Sequence, residues 1–270
     1  MNLPPAAAEP IFHVGSFPIT NALINSWIAV LFFVIGAFVL SRKKALMPKG
    51  LQNFGEFVVD FLLTEVQKVT GDRARALKFL PIVGTIFLFI LFSNWIGLLP
   101  GTGSIGIWGM HAGHVELIPL LRPAASDLNL TLAIALFAVI VSHVFGVAAL
   151  GMTNHLSKFV NIRGIFRSFK QGPMAVIVAV IEFGVGLIEI ISELAKVISL
   201  SLRLFGNVFA GEVLLTVMLG LFAYVLPIPF LFLEILVGII QATVFAMLTL
   251  AYLTVATTSH GDEHTEEAHA

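Results

Sequence analysis

Apolar residues run almost unbroken through three stretches of the chain, Ile24 to Leu40, Phe79 to Leu99 and Leu130 to Leu150. A helix needs roughly 20 such residues to cross about 30 Å of hydrocarbon, so the pattern predicts transmembrane helices over 24–40, 79–99 and 130–150. Between the first two, Leu51, Phe54, Val58, Phe61, Leu62, Val66 and Val69 recur at helical spacing opposite Asn53, Glu56, Asp60 and Gln67, which predicts an amphipathic helix over 50–70. Its apolar face suits the bilayer interface, and it would equally suit the surface of a neighbouring soluble subunit.

The region from Met174 onwards has a different pattern. No proline occurs between Met174 and Leu219, and a continuous helix over that length would measure roughly 69 Å at 1.5 Å per residue, more than twice the membrane thickness. Two ordinary spans would need a turn near the middle, yet Leu187 to Phe205 contains no Gly or Pro, the usual turn residues. One long, strongly tilted helix over 174–219 is therefore expected. A turn at Leu226, Pro227, Ile228 and Pro229 would then lead into a second long helix over 230–258, and the two would form a hairpin. The predicted fold is an all-α integral membrane protein organised as a single membrane domain, 1–270. It comprises an outer N-terminal segment (1–23), three ordinary spans, an interfacial helix, the tilted hairpin and a tail (259–270). That tail holds Asp262, Glu263, Glu266 and Glu267 with His260, His264 and His269, and it reads as solvated and disordered rather than as a metal site.

Composition narrows the function classes. The 270 residues are 58% hydrophobic and 11% charged, outside the usual range of a soluble domain. A net charge of −1 gives no basic surface for nucleic acid. The absence of cysteine excludes disulfides and thiolate metal sites. The first twenty residues carry Glu9, four prolines and no Lys or Arg, unlike a cleavable signal peptide. Basic residues set the orientation. Arg42, Lys43, Lys44, Lys49, Lys68, Arg73, Arg75 and Lys78 follow the first span, and Lys158, Arg163, Arg167 and Lys170 follow the third, whereas only Arg122 lies between spans two and three. The N-terminus is expected outside and the C-terminus in the cytoplasm.

The chemistry should lie in the membrane. Ionisable groups there are costly unless paired or hydrated, which makes them functional candidates by default. The hairpin holds Glu182, Glu189, Glu193, Lys196, Arg203, Glu212 and Glu234. At about 100° per residue from Glu182, Glu189 falls near −20°, Glu193 near 20°, Lys196 near −40°, Arg203 near −60° and Asn207 near −20°. These residues form one polar stripe, which must line water or a protein partner. Glu193 and Lys196 suit a local ion pair equally well. Arg203 has no acid at i±3 or i±4, so its partner is expected on another element or another chain. Ser192, Ala195, Ser199, Gly206 and Ala210 run beside it, and small residues let another helix approach closely. Glu212 lies about 180° round from Arg203 and is expected to face the second hairpin helix, where Glu234, Gly238, Gln241, Phe245 and Tyr252 share a side.

The stretch ISLSLRLFGNVFAGE (Ile198 to Glu212) resembles the signature of subunit a of F-type ATP synthases. RPAASDLNLTLAIAL (Arg122 to Leu136), QATVFAMLTLAYL (Gln241 to Leu253) and, more weakly, FSNWIGLLPG (Phe92 to Gly101) support the resemblance. It implies that Arg203 faces a rotor ring of small hairpin c subunits, each with a membrane carboxylate, and separates two aqueous half-channels. It further implies that Asn207 and Gln241 flank the arginine at the rotor surface, that Glu212 and Glu234 line the outer half-channel, and that Glu189 and Glu193 lie near the inner exit. Implied partners are the c ring, b-type stalk subunits, the F1 catalytic head and membrane lipid, with no cofactor. A bacterial inner membrane is the expected location. Many family members place a histidine with a glutamate in the uptake pair, whereas Glu212 and Glu234 are both carboxylic here. Two close carboxylates do not easily both ionise in a dry site, so such a pair would share a proton.

Other membrane functions fit less well. A secondary transporter usually shows internal repeats and broken helices, and neither is visible. A haem or copper subunit needs several intramembrane histidines, and only His143 lies inside a predicted span. The aspartates Asp60, Asp72, Asp127 and Asp262 lie outside the spans, which argues against an intramembrane aspartyl protease. No GxxxxGK[ST] loop occurs to hold ATP.

Overall fold

In a computed structural model, the structure describes residues 5, 7–42, 49–99, 102, 105–111, 114–153, 155, 173–221 and 225–258. The expected tail, and the basic residues Lys43, Lys44, Lys158, Arg163, Arg167 and Lys170, lie outside the described residues.

The chain is mostly helical rather than all-α. Two short antiparallel hairpins precede and interrupt the helices: β1 (Pro10–Val14) with β2 (Phe17–Thr20), and β3 (Gly106–His111) with β4 (His114–Pro119). In the first hairpin, aromatic and β-branched residues flank the two-residue turn Gly15–Ser16. Gly15 adopts φ 63°, the left-handed conformation that such turns need and glycine supplies without strain.

Among the described residues, six long α-helices follow in order: α1 (Asn21–Arg42), α2 (Leu51–Thr70), α3 (Arg73–Gly97), α4 (Leu128–Leu150), α5 (Pro173–Leu221) and α6 (Pro227–Thr257). Five are long and apolar enough to cross a bilayer, namely α1, α3, α4, α5 from Phe183 onwards, and α6. The molecule is an integral membrane protein.

Helix boundaries follow local chemistry. α2 ends at Gly71, in the left-handed conformation, whose N–H bonds back to the Gln67 carbonyl. Asp72 follows at once and caps α3, its carboxylate accepting from the backbone N–H groups of Ala74 and Arg75 at 3.1 and 3.3 Å. This cap starts α3 at Arg73, one and a half turns before the apolar run at Phe79. α6 likewise begins at Pro227, earlier than the expected Phe230. A proline in the first helical turn loses no hydrogen bond, because those N–H groups have no intrahelical partner. α5 runs without interruption for 49 residues, about 74 Å at the helical rise.

The described residues form two compact units. Unit one is Met1–Ala133 with Ser201–Leu248, and unit two is Ile134–Leu200 with Thr249–Ala270. In unit one, α1 packs on α3, and α2 packs on both. Ala22, Ala29, Leu63, Val66, Phe79, Val83 and Ile90 form its core, and Phe32 stacks on Phe92 with ring centroids 4.2 Å apart. The short 3-10 turn Ala124–Ser126 closes against α1 and α3, and a side chain on Gly97 would strike the Pro123 ring. In unit two, Ala135, Ala138, Val197, Leu200, Leu250 and Leu253 are buried. Leu51, Phe54, Phe57 and Phe61 of α2 stay exposed among the described residues.

Candidate functional site

From Ser201 to Gly211, α5 has two contrasting sides. Ser201, Leu204, Val208 and Gly211 are buried, and the Ser201 hydroxyl lies 3.1 Å from that of Thr131. Arg203, Gly206, Asn207 and Ala210 are exposed. Among the described residues Arg203 has no hydrogen-bond or ion-pair partner. A guanidinium is permanently charged, so within an apolar span it requires a counter-charge or water from outside these residues.

Glu212, on the other side of the same helix, is paired. Arg122 Nε donates to Glu212 Oε1 and Oε2 at 2.9 and 3.1 Å, and Nη2 donates to Oε2 at 3.0 Å. Arg122 is only 2% exposed. Its remaining donors reach the carbonyls of Pro5 at 2.7 Å and Ala7 at 3.1 Å. The Asn25 side-chain amide of α1 donates to the Arg122 carbonyl at 2.7 Å and to that of Ser93 on α3 at 3.2 Å. Arg122 thus ties the N-terminal segment, α1 and α5 together, and Asn25 extends the link to α3.

Glu234 is buried on α6 and has no partner among the described residues. Its carboxylate lies against the Cα of Gly211, in the space that a side chain there would fill. One turn further along α6, Gly238 faces Asn94 and the Trp95 ring, and Trp95 Nε1 donates to the Ile235 carbonyl at 3.3 Å. Gln241, a further turn on, is half-buried.

Unit two holds the other predicted acids. Glu193 pairs with Lys196 at 2.6 Å, and Lys196 Nζ sits 5.1 Å from the centre of the Tyr252 ring. His143 of α4 places Nε2 3.5 Å from Glu193, and its Nδ1 lies 3.2 Å from His155 Nε2. Glu189 is half-buried.

A sequence model of the family described as "ATP synthase A chain" matches residues 23–254. The chain belongs to the ATP synthase A chain family. It is 32% identical over 243 residues to "ATP synthase subunit a" of Moorella thermoacetica, covering 90% of this chain and 93% of that one. The protein of the same name from Mycobacterium ulcerans is 33% identical over 250 residues, 91% and 90% of the two chains. That from Campylobacter jejuni is 34% identical over 246 residues, 91% and 88%.

Within this chain, three contacts escaped sequence reasoning. The Arg122–Glu212 pair joins residues 90 positions apart. Its one signal in the sequence was that Arg122 is the only Lys or Arg between the second and third spans. His143 and His155 meet near Glu193, and nothing in helical spacing connects α4 with α5. The apposition of Gly211 and Glu234 was signalled only by the expectation that Glu212 and Glu234 would be neighbours.

Proposed function

We propose that this chain is the proton-translocating stator subunit of an ATP synthase membrane sector, working as a single membrane domain beside a rotor ring of c subunits. Arg203 is the rotor-facing charge, flanked by Asn207 and Gln241. Glu212 and Glu234 line the half-channel open to the outside, and Glu189 and Glu193 line the path towards the cytoplasm. α5 and α6 form a strongly tilted hairpin, and α2 lies at the membrane interface. The N-terminus is outside and the C-terminus cytoplasmic, in a bacterial inner membrane, with b-type stalk subunits and the F1 head completing the machine.

The observation that carries this reading is an exposed arginine in the middle of an apolar helix, without an ion-pair partner among the described residues and bordered by Gly206 and Ala210. A deprotonated rotor carboxylate is costly in hydrocarbon, and a fixed positive charge beside it lowers that cost. One ionised site can then pass the stator while protonated sites travel through lipid. Because a guanidinium does not release its proton, it also blocks direct transfer between the half-channels, so that flow requires rotation. The length of α5 supports the tilt, because about 74 Å of helix does not fit upright in about 30 Å of hydrocarbon.

The test is Arg203→Ala in the assembled complex. ATP synthesis and ATP-driven proton pumping should both be abolished while the complex still co-purifies with its ring. Coupling at the wild-type level would refute the proposal. Arg203→Lys should fail as well, because an ammonium is compact and can deprotonate.

A further inference from the structure

One face of the β1–β2 hairpin is made wholly of apolar side chains. The register pairs Phe12 with Ile19 and Val14 with Phe17. Directly opposed residues of an antiparallel pair share a face, as do residues two apart on one strand. Phe12, Val14, Phe17 and Ile19 therefore point one way, and His13 and Pro18 point the other. Ile19, nearest the root, is 5% exposed, whereas Phe12, Val14 and Phe17 are 47%, 63% and 61% exposed among the described residues. No Asp, Glu, Lys or Arg occurs from Pro10 to Thr20. A two-stranded hairpin on its own is marginal in water at best, so this face calls for a cover.

The root of the hairpin fixes where that cover lies. Thr20 passes directly into Asn21, the first residue of α1. Asn21 is fully buried. Its backbone N–H donates to the Glu9 carbonyl at 3.1 Å, which closes the hairpin at its base, and its side-chain amide donates to the Pro119 carbonyl at the base of the second hairpin at 3.3 Å. Trp27, Ile28, Leu31, Ile35 and Phe38 of α1 are exposed among the described residues, so a lipid-facing apolar surface begins just beyond the hairpin.

Strand length decides the posture. The five residues of β1 extend about 17 Å at roughly 3.3 Å each, whereas the headgroup region on each side of the hydrocarbon is only about 5–8 Å deep. Upright, the hairpin would carry Val14 and Phe17 past the headgroups into water. Lying along the surface, it sets them against the acyl chains. A partner that adds a strand is disfavoured, because Pro10 and Pro18 carry no N–H and interrupt the row of donors such a strand would pair with.

We propose that β1–β2 is an interfacial lipid anchor. It lies in the plane of the leaflet at the N-terminal end of α1, with Phe12, Val14 and Phe17 at the acyl boundary and His13 turned to headgroups and water. Its ligand is the acyl region of glycerophospholipids and no particular headgroup, since the inserted face carries neither charge nor side-chain hydrogen-bond donor. The anchor also holds the segment before it, in which Glu9 is tied to Asn21 and the Pro5 and Ala7 carbonyls accept from Arg122, the partner of Glu212. The proposal needs only that α1 crosses the bilayer, and it goes beyond the stator reading.

The chain has no cysteine, so a single nitroxide label can be placed in turn through His13→Cys, Val14→Cys and Phe17→Cys. The labelled chain is studied in assembled complex, with the other subunits made cysteine-free, in vesicles of phosphatidylcholine and phosphatidylglycerol. Power-saturation electron paramagnetic resonance compares collisions with oxygen, which concentrates among acyl chains, and with a water-soluble nickel chelate. The ratio of oxygen to chelate collisions should be severalfold higher in Val14→Cys and Phe17→Cys than in His13→Cys. Equal ratios would place both faces in one environment and overturn the proposal. Few collisions with either reagent in Val14→Cys and Phe17→Cys would show a protein subunit covering the face, which overturns it as well. If the cysteine variants do not assemble, Phe17→Trp and His13→Trp are compared in vesicles of lipid brominated near the carbonyl end of the acyl chain. The added fluorescence should be quenched more in Phe17→Trp, and equal quenching would overturn the lipid assignment.

Discussion

Gly206 offers a direct measurement of what covers the exposed side of α5. Among the described residues, a Cβ at Gly206 meets nothing within 4 Å. For the isolated subunit, Gly206→Ala should therefore gain only the difference in helix propensity, about 1 kcal/mol. Gly184, in the same helix, is equally open and makes the natural control. If rotor helices pass Gly206 closely, the added methyl group has no room. Overpacking of that kind costs about 1–3 kcal/mol, which as an added barrier slows each passage by about 5- to 150-fold. The assay is ATP-driven acidification of inverted vesicles containing assembled complex, alongside thermal unfolding of the purified subunit. Gly206→Ala should leave thermal stability equal or higher and lower the pumping rate, whereas Gly184→Ala should change neither adversely. If Gly206→Ala pumps as fast as Gly184→Ala, nothing packs tightly on this side of α5, and the rotor-facing assignment of Arg203 loses its support.

Three other outcomes follow from the contacts. Gly211→Ala should push the Glu234 carboxylate out of its notch and destabilise the subunit by about 1–3 kcal/mol, seen as a lower melting temperature. Combining it with Glu234→Ala should recover most of the loss. Arg122→Met alone should cost about 3–5 kcal/mol by leaving Glu212 uncompensated, and chemical denaturation should show the Arg122→Met/Glu212→Gln double variant to be the more stable of the two. Asp72→Ala removes the α3 cap and should cost about 0.5–2 kcal/mol. Unchanged amide exchange in the first turn of α3 would count against that role.

Continuous apolar runs announced five long helices, because in hydrocarbon a helix must satisfy its own backbone and needs little help from distant residues. The unbroken course of α5 was legible for a related reason, since Leu187 to Phe205 offers no residue that turns cheaply. The hairpins at Pro10–Thr20 and Gly106–Pro119 were not legible as strands. They are short, and their pairing depends on turns such as Gly15–Ser16 rather than on a long period. The α3 start at Arg73 was hidden because hydropathy sees the membrane boundary, whereas the helix begins where Asp72 satisfies its first N–H groups. Within the candidate site, the placement of Arg203 away from any acid on its own helix could be read from spacing. The Arg122–Glu212 and His143–Glu193 contacts could not, since each joins helices or segments whose approach is decided by packing.

The notch at Gly211 has an evolutionary corollary. Every single-nucleotide change of a glycine codon that alters the residue adds a side chain, so position 211 cannot drift while a glutamate occupies position 234. Substitution should begin at 234, with a shorter group there licensing alanine or serine at 211 afterwards. Among related chains, the size of the residue at one position should vary inversely with that at the other.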